Sequence, residues 1–174
     1  MVYTGKRGMA FEELINYTNK AYELQGKALI NKRPTPVKVL KSKGTKVLSG
    51  FYEQQSTVDY DGLYNGRAIV FEAKSTAKKS LPLNMIADHQ IRYLDAAEKQ
   101  GAISFLIVDM RHINEVLLVP NGMLQKYVKD AKNGGRKSIP LGDLEVYGHL
   151  VRSGNGVALD YLSVVDRLLE AETA

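Results

Sequence analysis

An uninterrupted apolar segment, AISFLIVD at residues 102–109, governs how this chain can fold. A strand at a surface alternates polar and apolar side chains, so a strand of this composition is buried on both faces. Apolar residues recur at helical spacing in four other places. These predicted helices cover 11–22, 85–100, 123–132 and 161–170. Helices and strands that alternate around one sheet favour an α/β or α+β single domain over residues 1–174.

Further strands and turns are predicted between the helices. The strands are 28–31, 37–40, a returning strand from Val47, 51–58, 67–74 and 115–119. Asp61-Gly62 and Asn65-Gly66 are typical turn pairs. The segment Lys41–Lys46 (KSKGTK) reads as an exposed turn between two strands. We therefore expect residues 38–52 to form a protruding basic hairpin.

The composition excludes several classes of protein. The 174 residues are 44% apolar and 25% charged, which is typical of a globular domain. There is no run of eighteen apolar residues, so we expect no membrane-spanning helix, and the lack of a long apolar stretch in the first residues predicts no secretory signal there. The chain has no Cys, which excludes disulfides and thiolate metal sites. A reducing cytoplasm is the simplest location.

The net charge of +5 is unevenly distributed. Residues 1–87 hold 14 Lys and Arg against 7 Asp and Glu, whereas residues 88–174 hold 10 against 12. Between Glu23 and Glu53 there are seven basic residues and no acidic one. Such a tract is suited to a polyanion, since each neutralised phosphate releases condensed counterions. It favours nucleic acid, with a solvated cationic hairpin as the alternative.

The predicted strand IVFEAK carries the residues that could do chemistry. Alternation places Ile69, Phe71 and Ala73 on one face, and Val70, Glu72 and Lys74 on the other. Charged side chains on so apolar a strand need a partner or an ion. Asp59 lies at the end of the preceding predicted strand, so an antiparallel hairpin would place its carboxylate beside Glu72.

Two carboxylates with a backbone carbonyl and water form an all-oxygen site, which suits Mg²⁺, with Mn²⁺ as a substitute. Lys74 would lie close enough to orient a water and to stabilise charge on a phosphate. Metal-assisted hydrolysis of a phosphodiester needs these groups and no covalent nucleophile. The alternative is a Glu-Lys pair on an edge strand with no chemical role.

The sequence resembles the RecU family, the Holliday-junction resolvases of Gram-positive bacteria within the PD-(D/E)xK nuclease superfamily. The resemblance covers nearly the whole chain from about Lys6. The matching stretches are Arg7–Glu12 (RGMAFE), Lys32–Pro36 (KRPTP), Gln55–Gly62 (QSTVDYDG), Leu63–Gly66 (LYNG), Phe71–Lys74 (FEAK), His89–Ile91 (HQI), Arg136–Leu141 (RKSIPL) and Val146–Gly148 (VYG).

This resemblance implies a restriction-endonuclease-like core with a mixed central sheet flanked by helices. It also implies a homodimer whose basic stalk enters the centre of a four-way DNA junction. The family's motif residues fall on Asp59, Glu72 and Lys74, and the first-helix glutamate of the superfamily falls on Glu12 as an outer metal ligand. Compared with the bacterial members, the N-terminal arm and the stalk are shorter, so we expect a phage-encoded or otherwise streamlined relative. The expected activity is Mg²⁺-dependent paired nicking in recombination and repair, near the nucleoid of a bacterial or phage-infected cell.

Basic and polar side chains beside these motifs are candidate DNA contacts. His89 and Gln90 stand at a predicted helix start near the proposed site, as substrate contacts or as support for it. The candidate DNA-binding residues are Lys6, Arg7, Lys32, Arg33, Lys41, Lys43, Lys46, Gln90, Arg136 and Lys137. Two alternative functions are a non-catalytic DNA-binding module of the same fold and a nuclease without junction preference.

Overall fold

The computed structural model describes residues 5–53 and 57–173, with side chains described for 8–53 and 57–171. Gln55 and Ser56, which belong to a matching stretch, lie outside the described residues. The helices are α1 (Gly5–Leu24), α2 (Asp88–Lys99), α3 (Asn121–Lys132), α4 (Leu141–Tyr147) and α5 (Tyr161–Thr173).

Six strands form the main sheet, and four more form two small sheets. The main-sheet strands are β1 (Ala28–Lys32), β4 (Tyr60–Tyr64), β5 (Arg67–Thr76), β7 (Ile103–Met110), β8 (Glu115–Pro120) and β10 (His149–Val151). The others are β2 (Val37–Lys43), β3 (Lys46–Tyr52), β6 (Ser80–Pro82) and β9 (Ser138–Pro140). The main sheet has the order β1-β4-β5-β7-β8-β10. Strands β5 and β7 are parallel, and all other neighbours are antiparallel, so the sheet is mixed.

Helices cover both faces of this sheet and bury two separate groups of apolar side chains. One group holds Ile69 and Phe71 of β5 with residues of α1 and α5, such as Ile15 and Val165. The other holds Val70 and residues of α2, α3 and α4. Strand β7 is buried almost throughout, as its uninterrupted apolar sequence predicts. The predicted class, an α/β domain with a mixed sheet flanked by helices, is confirmed. In the described part of the chain, no helix is long and apolar enough to cross a membrane.

Strands β2 and β3 form an antiparallel hairpin that stands apart from the main sheet. Their register runs from Val37 opposite Tyr52 to Lys43 opposite Lys46. Every residue of both strands is exposed. Below the first pair, the amide of Glu53 donates to the carbonyl of Pro36 at 3.0 Å. We call residues 37–52 the stalk hairpin. It contains Lys41, Lys43 and Lys46.

Two predictions for residues 51–66 are wrong. A separate strand was predicted at 51–58, whereas residues 51 and 52 are the end of β3 (Lys46–Tyr52), and Asp61-Gly62 lies inside β4 rather than in a turn. A Cβ at position 62 would lie 2.0 Å from the carbonyl oxygen of Leu29, so glycine is needed for close approach to β1 and not for a turn. Asn65 and Gly66 do form the turn between β4 and β5, with φ of 47° and 75°.

Several short elements were not predicted. They are β4, β6, a 3₁₀ turn at Leu83–Met85, β9, α4 and β10. Strands β6 and β9 pair with each other. Their neighbour α4 packs against both β6 and β9. Elements of three to seven residues are too short to show a periodic pattern of apolar side chains. Whether they form depends on contacts with distant parts of the chain.

Candidate active site

A row of stacked aromatic rings fixes the register of the three strands that build the site. Tyr60 of β4 lies opposite Phe71 of β5, which lies opposite Phe105 of β7. The rings of Tyr60 and Phe71 stack with centroids 4.8 Å apart, and those of Phe71 and Phe105 with centroids 5.0 Å apart. Such pairs stabilise one register over its alternatives. With this register, Asp59 lies directly beside Glu72.

Asp59 and Glu72 are joined by reciprocal contacts. The backbone amide of Asp59 donates to Oε2 of Glu72 at 3.0 Å, and the amide of Ala73 donates to Oδ2 of Asp59 at 3.1 Å. The sequence placed Asp59 at the end of the preceding strand, whereas it directly precedes the first residue of β4. The predicted neighbourhood is nevertheless observed, because the antiparallel hairpin brings both carboxylates together.

Glu72 is the most buried acidic group of the site. Its side chain is fully buried, and its Oε1 accepts hydrogen bonds from Nζ of Lys74 and, at 2.5 Å, from Nε2 of Gln90. Burial raises the pKa of Glu72 to about 8; Lys74 opposes this rise and the Asp59 carboxylate adds to it. The amide oxygen of Gln90 accepts from the backbone of Ala87 at 2.9 Å, so the first turn of α2 holds the Gln90 side chain in place.

These residues are compatible with a divalent cation. Burial, and secondarily the adjoining Asp59 carboxylate, raise the pKa of Glu72, and a bound metal ion would stabilise the charged form of such a carboxyl. Asp59 and Glu72 would supply hard oxygen ligands, which Mg²⁺ and Mn²⁺ prefer. Within the described residues, no third His, Asp or Glu joins them in a cluster.

Glu12, expected as an outer metal ligand, makes a different contact. Its Oε2 accepts from Nζ of Lys32, which was expected to contact DNA. The backbone carbonyl of Glu12 accepts from the hydroxyl of Tyr60 at 3.1 Å, and the same hydroxyl donates to Asn16. Helix α1 is therefore anchored next to the site through Tyr60, while the Glu12 carboxylate is ion-paired.

Arg33, also expected to bind DNA, has a side chain that is 37% exposed and contacts three other residues of the protein. Its Nη1 donates to Oγ1 of Thr57, its Nε lies 3.2 Å from Oδ2 of Asp61, and its guanidinium lies over the ring of Tyr93. The sequence carries no local signal for this arrangement, since Thr57 and Asp61 lie more than twenty residues away.

The other candidate DNA contacts divide into three groups. Lys41, Lys43 and Lys46 are exposed on the stalk hairpin. The side chains of Lys6 and Arg7 lie outside the described residues. Arg136 and Lys137 are exposed, and Lys137 lines a cavity of about 430 Å³ next to the start of α2. Lys78 and Lys132, which sequence reasoning did not select, line the same cavity.

Comparison with known proteins agrees with the resemblance seen in the sequence. The profile of the RecU family, described as Recombination protein U, matches residues 6–167. The chain is 39% identical to the Holliday junction resolvase RecU of Geobacillus sp. (strain WCH70), over 94% of this chain and 85% of that protein. It is 36% identical to the enzyme of the same name from Lactococcus lactis subsp. lactis (strain IL1403), over 99% of this chain and 83% of that protein.

Among solved structures, Archaeoglobus fulgidus Hjc, a Holliday junction resolvase, superposes with a TM-score of 0.45 at 11% identity, covering 78% of this chain and 94% of that one. That likeness is too weak to carry an inference. The family profile spans nearly all of the chain, and relatives above 30% identity match it over more than nine-tenths of its length. On this basis, the chain belongs to the RecU family.

Proposed function

We propose that this chain is a metal-dependent endodeoxyribonuclease that resolves four-way DNA junctions. The observation that carries the proposal is the meeting of Asp59, directly before β4, with Glu72 and Lys74 of the neighbouring strand β5, in a chain of the RecU family. The curated relatives carry the name Holliday junction resolvase. An acid pair that can hold a metal ion, with an adjacent ammonium group, suits metal-assisted hydrolysis of a phosphodiester.

In this proposal each residue has a separate task. Asp59 and Glu72 hold Mg²⁺, or Mn²⁺ in its place, and the metal supplies Lewis acidity toward the phosphate and its attacking water. Lys74 donates to Glu72 and remains close enough to orient that water and to stabilise charge on the phosphate. Gln90 keeps the Glu72 carboxylate in position through its bond to Oε1, which makes it a positioning residue rather than a DNA contact.

The stalk hairpin, together with the exposed Arg136 and Lys137, supplies affinity for the junction. Lys41, Lys43 and Lys46 are exposed on the stalk hairpin, which is separate from the main sheet. There they contact phosphates that the catalytic residues do not reach. Resolution of a symmetric junction requires two nicks, so we propose a homodimer with one site in each subunit. Its substrate places the enzyme at the nucleoid, in the cytoplasm of a bacterial or phage-infected cell.

A cleavage assay on a four-way junction and on a linear duplex of the same sequences, each with Mg²⁺ or with EDTA, tests the proposal. We expect cutting of the junction with Mg²⁺, little cutting of the duplex, and none with EDTA. Binding without cutting at any metal concentration would identify a non-catalytic module. Equal cutting of both substrates would identify a nuclease without junction preference.

A further inference from the structure

We propose that Arg33 is a positioning residue that joins the root of the stalk hairpin to the catalytic Asp59. The inference rests on the proposed function, since it assigns Arg33 a task in the same site. It differs from the phosphate contact that the charge of Arg33 first indicates.

Arg33 holds the segment that carries Asp59 at three points. Its backbone amide donates to the carbonyl of Asp59 at 2.8 Å. Its side chain bonds to Thr57, two residues before Asp59, and lies 3.2 Å from the carboxylate of Asp61, two residues after it. A planar guanidinium, whose donors have a fixed arrangement, is suited to holding two partners at once. We call the contacts of Arg33 with Thr57, Asp59 and Asp61 the bracket. Asp59 is therefore fixed from both sides by a single residue.

The same residue closes the stalk hairpin at its root. Arg33 directly precedes Pro34-Thr35-Pro36, a stiff connection that leads into β2. On the returning side, Glu53 bonds to Pro36, and the chain then reaches Thr57, which bonds to Arg33. The segment from 33 to 57, which contains the stalk hairpin, is thus closed by the hydrogen bond between the side chains of its two end residues. Asp59 follows two residues later.

Two further contacts connect this bracket to the other half of the site. The guanidinium carbon of Arg33 lies 5.6 Å from the ring centroid of Tyr93, on α2. Gln90, one helical turn earlier on α2, bonds to Glu72. One helix therefore supports both carboxylates, Glu72 directly and Asp59 through Arg33.

The engagement of Arg33 argues against a role in attracting DNA. Its Nε and Nη1 are directed at protein oxygens, one face of its guanidinium covers Tyr93, and its charge is offset by Asp61. An exposed lysine of the stalk hairpin has none of these constraints.

Arg33→Gln and Asp61→Asn each remove one partner of the Arg33–Asp61 ion pair. The first removes a positive charge and the second a negative charge. We expect each to lower the single-turnover cleavage rate at saturating junction by roughly 10- to 100-fold, because small misplacements of reacting groups are costly. We expect unchanged junction affinity in EDTA and an unchanged dependence on salt. The double variant should be no slower than the slower single variant, because both remove one interaction.

The amide proton of Ala73, which bonds to Asp59, supplies a readout without metal or substrate. Its chemical shift should change in both variants and not in Arg152→Gln, a control at an exposed arginine beyond β10. The proposal is overturned if Arg33→Gln weakens binding and flattens the salt dependence at an unchanged rate, or if the Ala73 shift is unmoved. If the wild type does not cut at all, the proposed function fails, while the Ala73 shift still decides the bracket.

Discussion

Glu72 illustrates at the residue scale how the fold accommodates an unfavourable group at its proposed site. A fully buried carboxyl beside a second carboxylate opposes folding unless other groups compensate. Three donors do so here, from Asp59, Lys74 and Gln90. The residues of β5 on either side of Glu72, Phe71 and Ala73, are buried and apolar, so its carboxyl is unfavourable for packing, which agrees with the chemical role proposed for it.

Asp59→Asn and Glu72→Gln should each reduce junction cleavage on the order of 10³-fold, since each replaces a charged carboxylate proposed as a metal ligand with a neutral amide. Junction binding in EDTA should persist, because the proposed phosphate contacts lie elsewhere. Cleavage time courses with gel-shift titrations measure both quantities. Asp95→Asn, at an ion-paired carboxylate on α2, is the matched control. Full activity in either variant would contradict the assignment.

Asp160, directly before α5, is a buried carboxylate with a structural role. It accepts hydrogen bonds from Tyr22, Asn155 and Ser163. Burial raises its pKa, but these hydrogen bonds outweigh burial and leave the pKa below its usual 3.8. The ionised form therefore ties α1 to the start of α5, and this stabilisation is present only when the carboxyl is deprotonated.

Asp160→Asn should lower the free energy of unfolding at pH 7 by about 1–3 kcal/mol. A carboxyl with a depressed folded-state pKa stabilises the fold above its unfolded pKa and loses this effect as pH falls through the folded value. The difference between wild type and variant should therefore shrink below about pH 4. Urea denaturation at pH 7 and pH 3 measures it, with Asp130→Asn as an exposed control. Equal differences at the two pH values would refute the pKa argument.

At the scale of elements, the stalk hairpin is a two-stranded unit whose exposed lysines have no structural partner among the ion pairs of the described residues. Replacing Lys41, Lys43 and Lys46 with Gln should weaken junction binding. It should also reduce the slope of log affinity against log salt by up to about three units. Gel shifts at several salt concentrations measure this slope. The triple Gln variant of Lys99, Lys126 and Lys129, on α2 and α3, is the matched control. An unchanged slope would remove the stalk hairpin from the binding surface.

Helices and strands with a clear pattern of apolar residues could be predicted from the sequence. Short elements that depend on contacts with distant parts of the chain could not. Strand β7 and the core face of β5 followed from apolar patterning, and the antiparallel pairing of β4 with β5 brings Asp59 beside Glu72 as expected. Gly62 was wrongly assigned to a turn because glycine is needed there for the close approach of the Leu29 carbonyl on another strand, which the sequence does not show. The task of Arg33 was hidden for the same reason: its partners are separated in the sequence and meet only in the fold.

At the scale of the whole molecule, we expect two chains to act together on one junction. Sedimentation should give twice the mass of one chain, and a mixed dimer of wild type and Asp59→Asn should place a single nick. On a cruciform plasmid, the wild type should then yield linear product, whereas the mixed dimer should yield nicked circles. Linear product from the mixed dimer at the wild-type rate would show that one subunit makes both cuts.

The stalk hairpin leaves the domain and returns to it at adjacent points, where Pro36 and Glu53 are hydrogen-bonded. Its tip, around Gly44, touches neither core group. Inserting one residue into each strand lengthens such a hairpin by roughly 3.4 Å, and two per strand restore the original facing of its side chains. In the proposed function, small insertions at the tip would therefore change how deeply the hairpin reaches between DNA arms without repacking either core group.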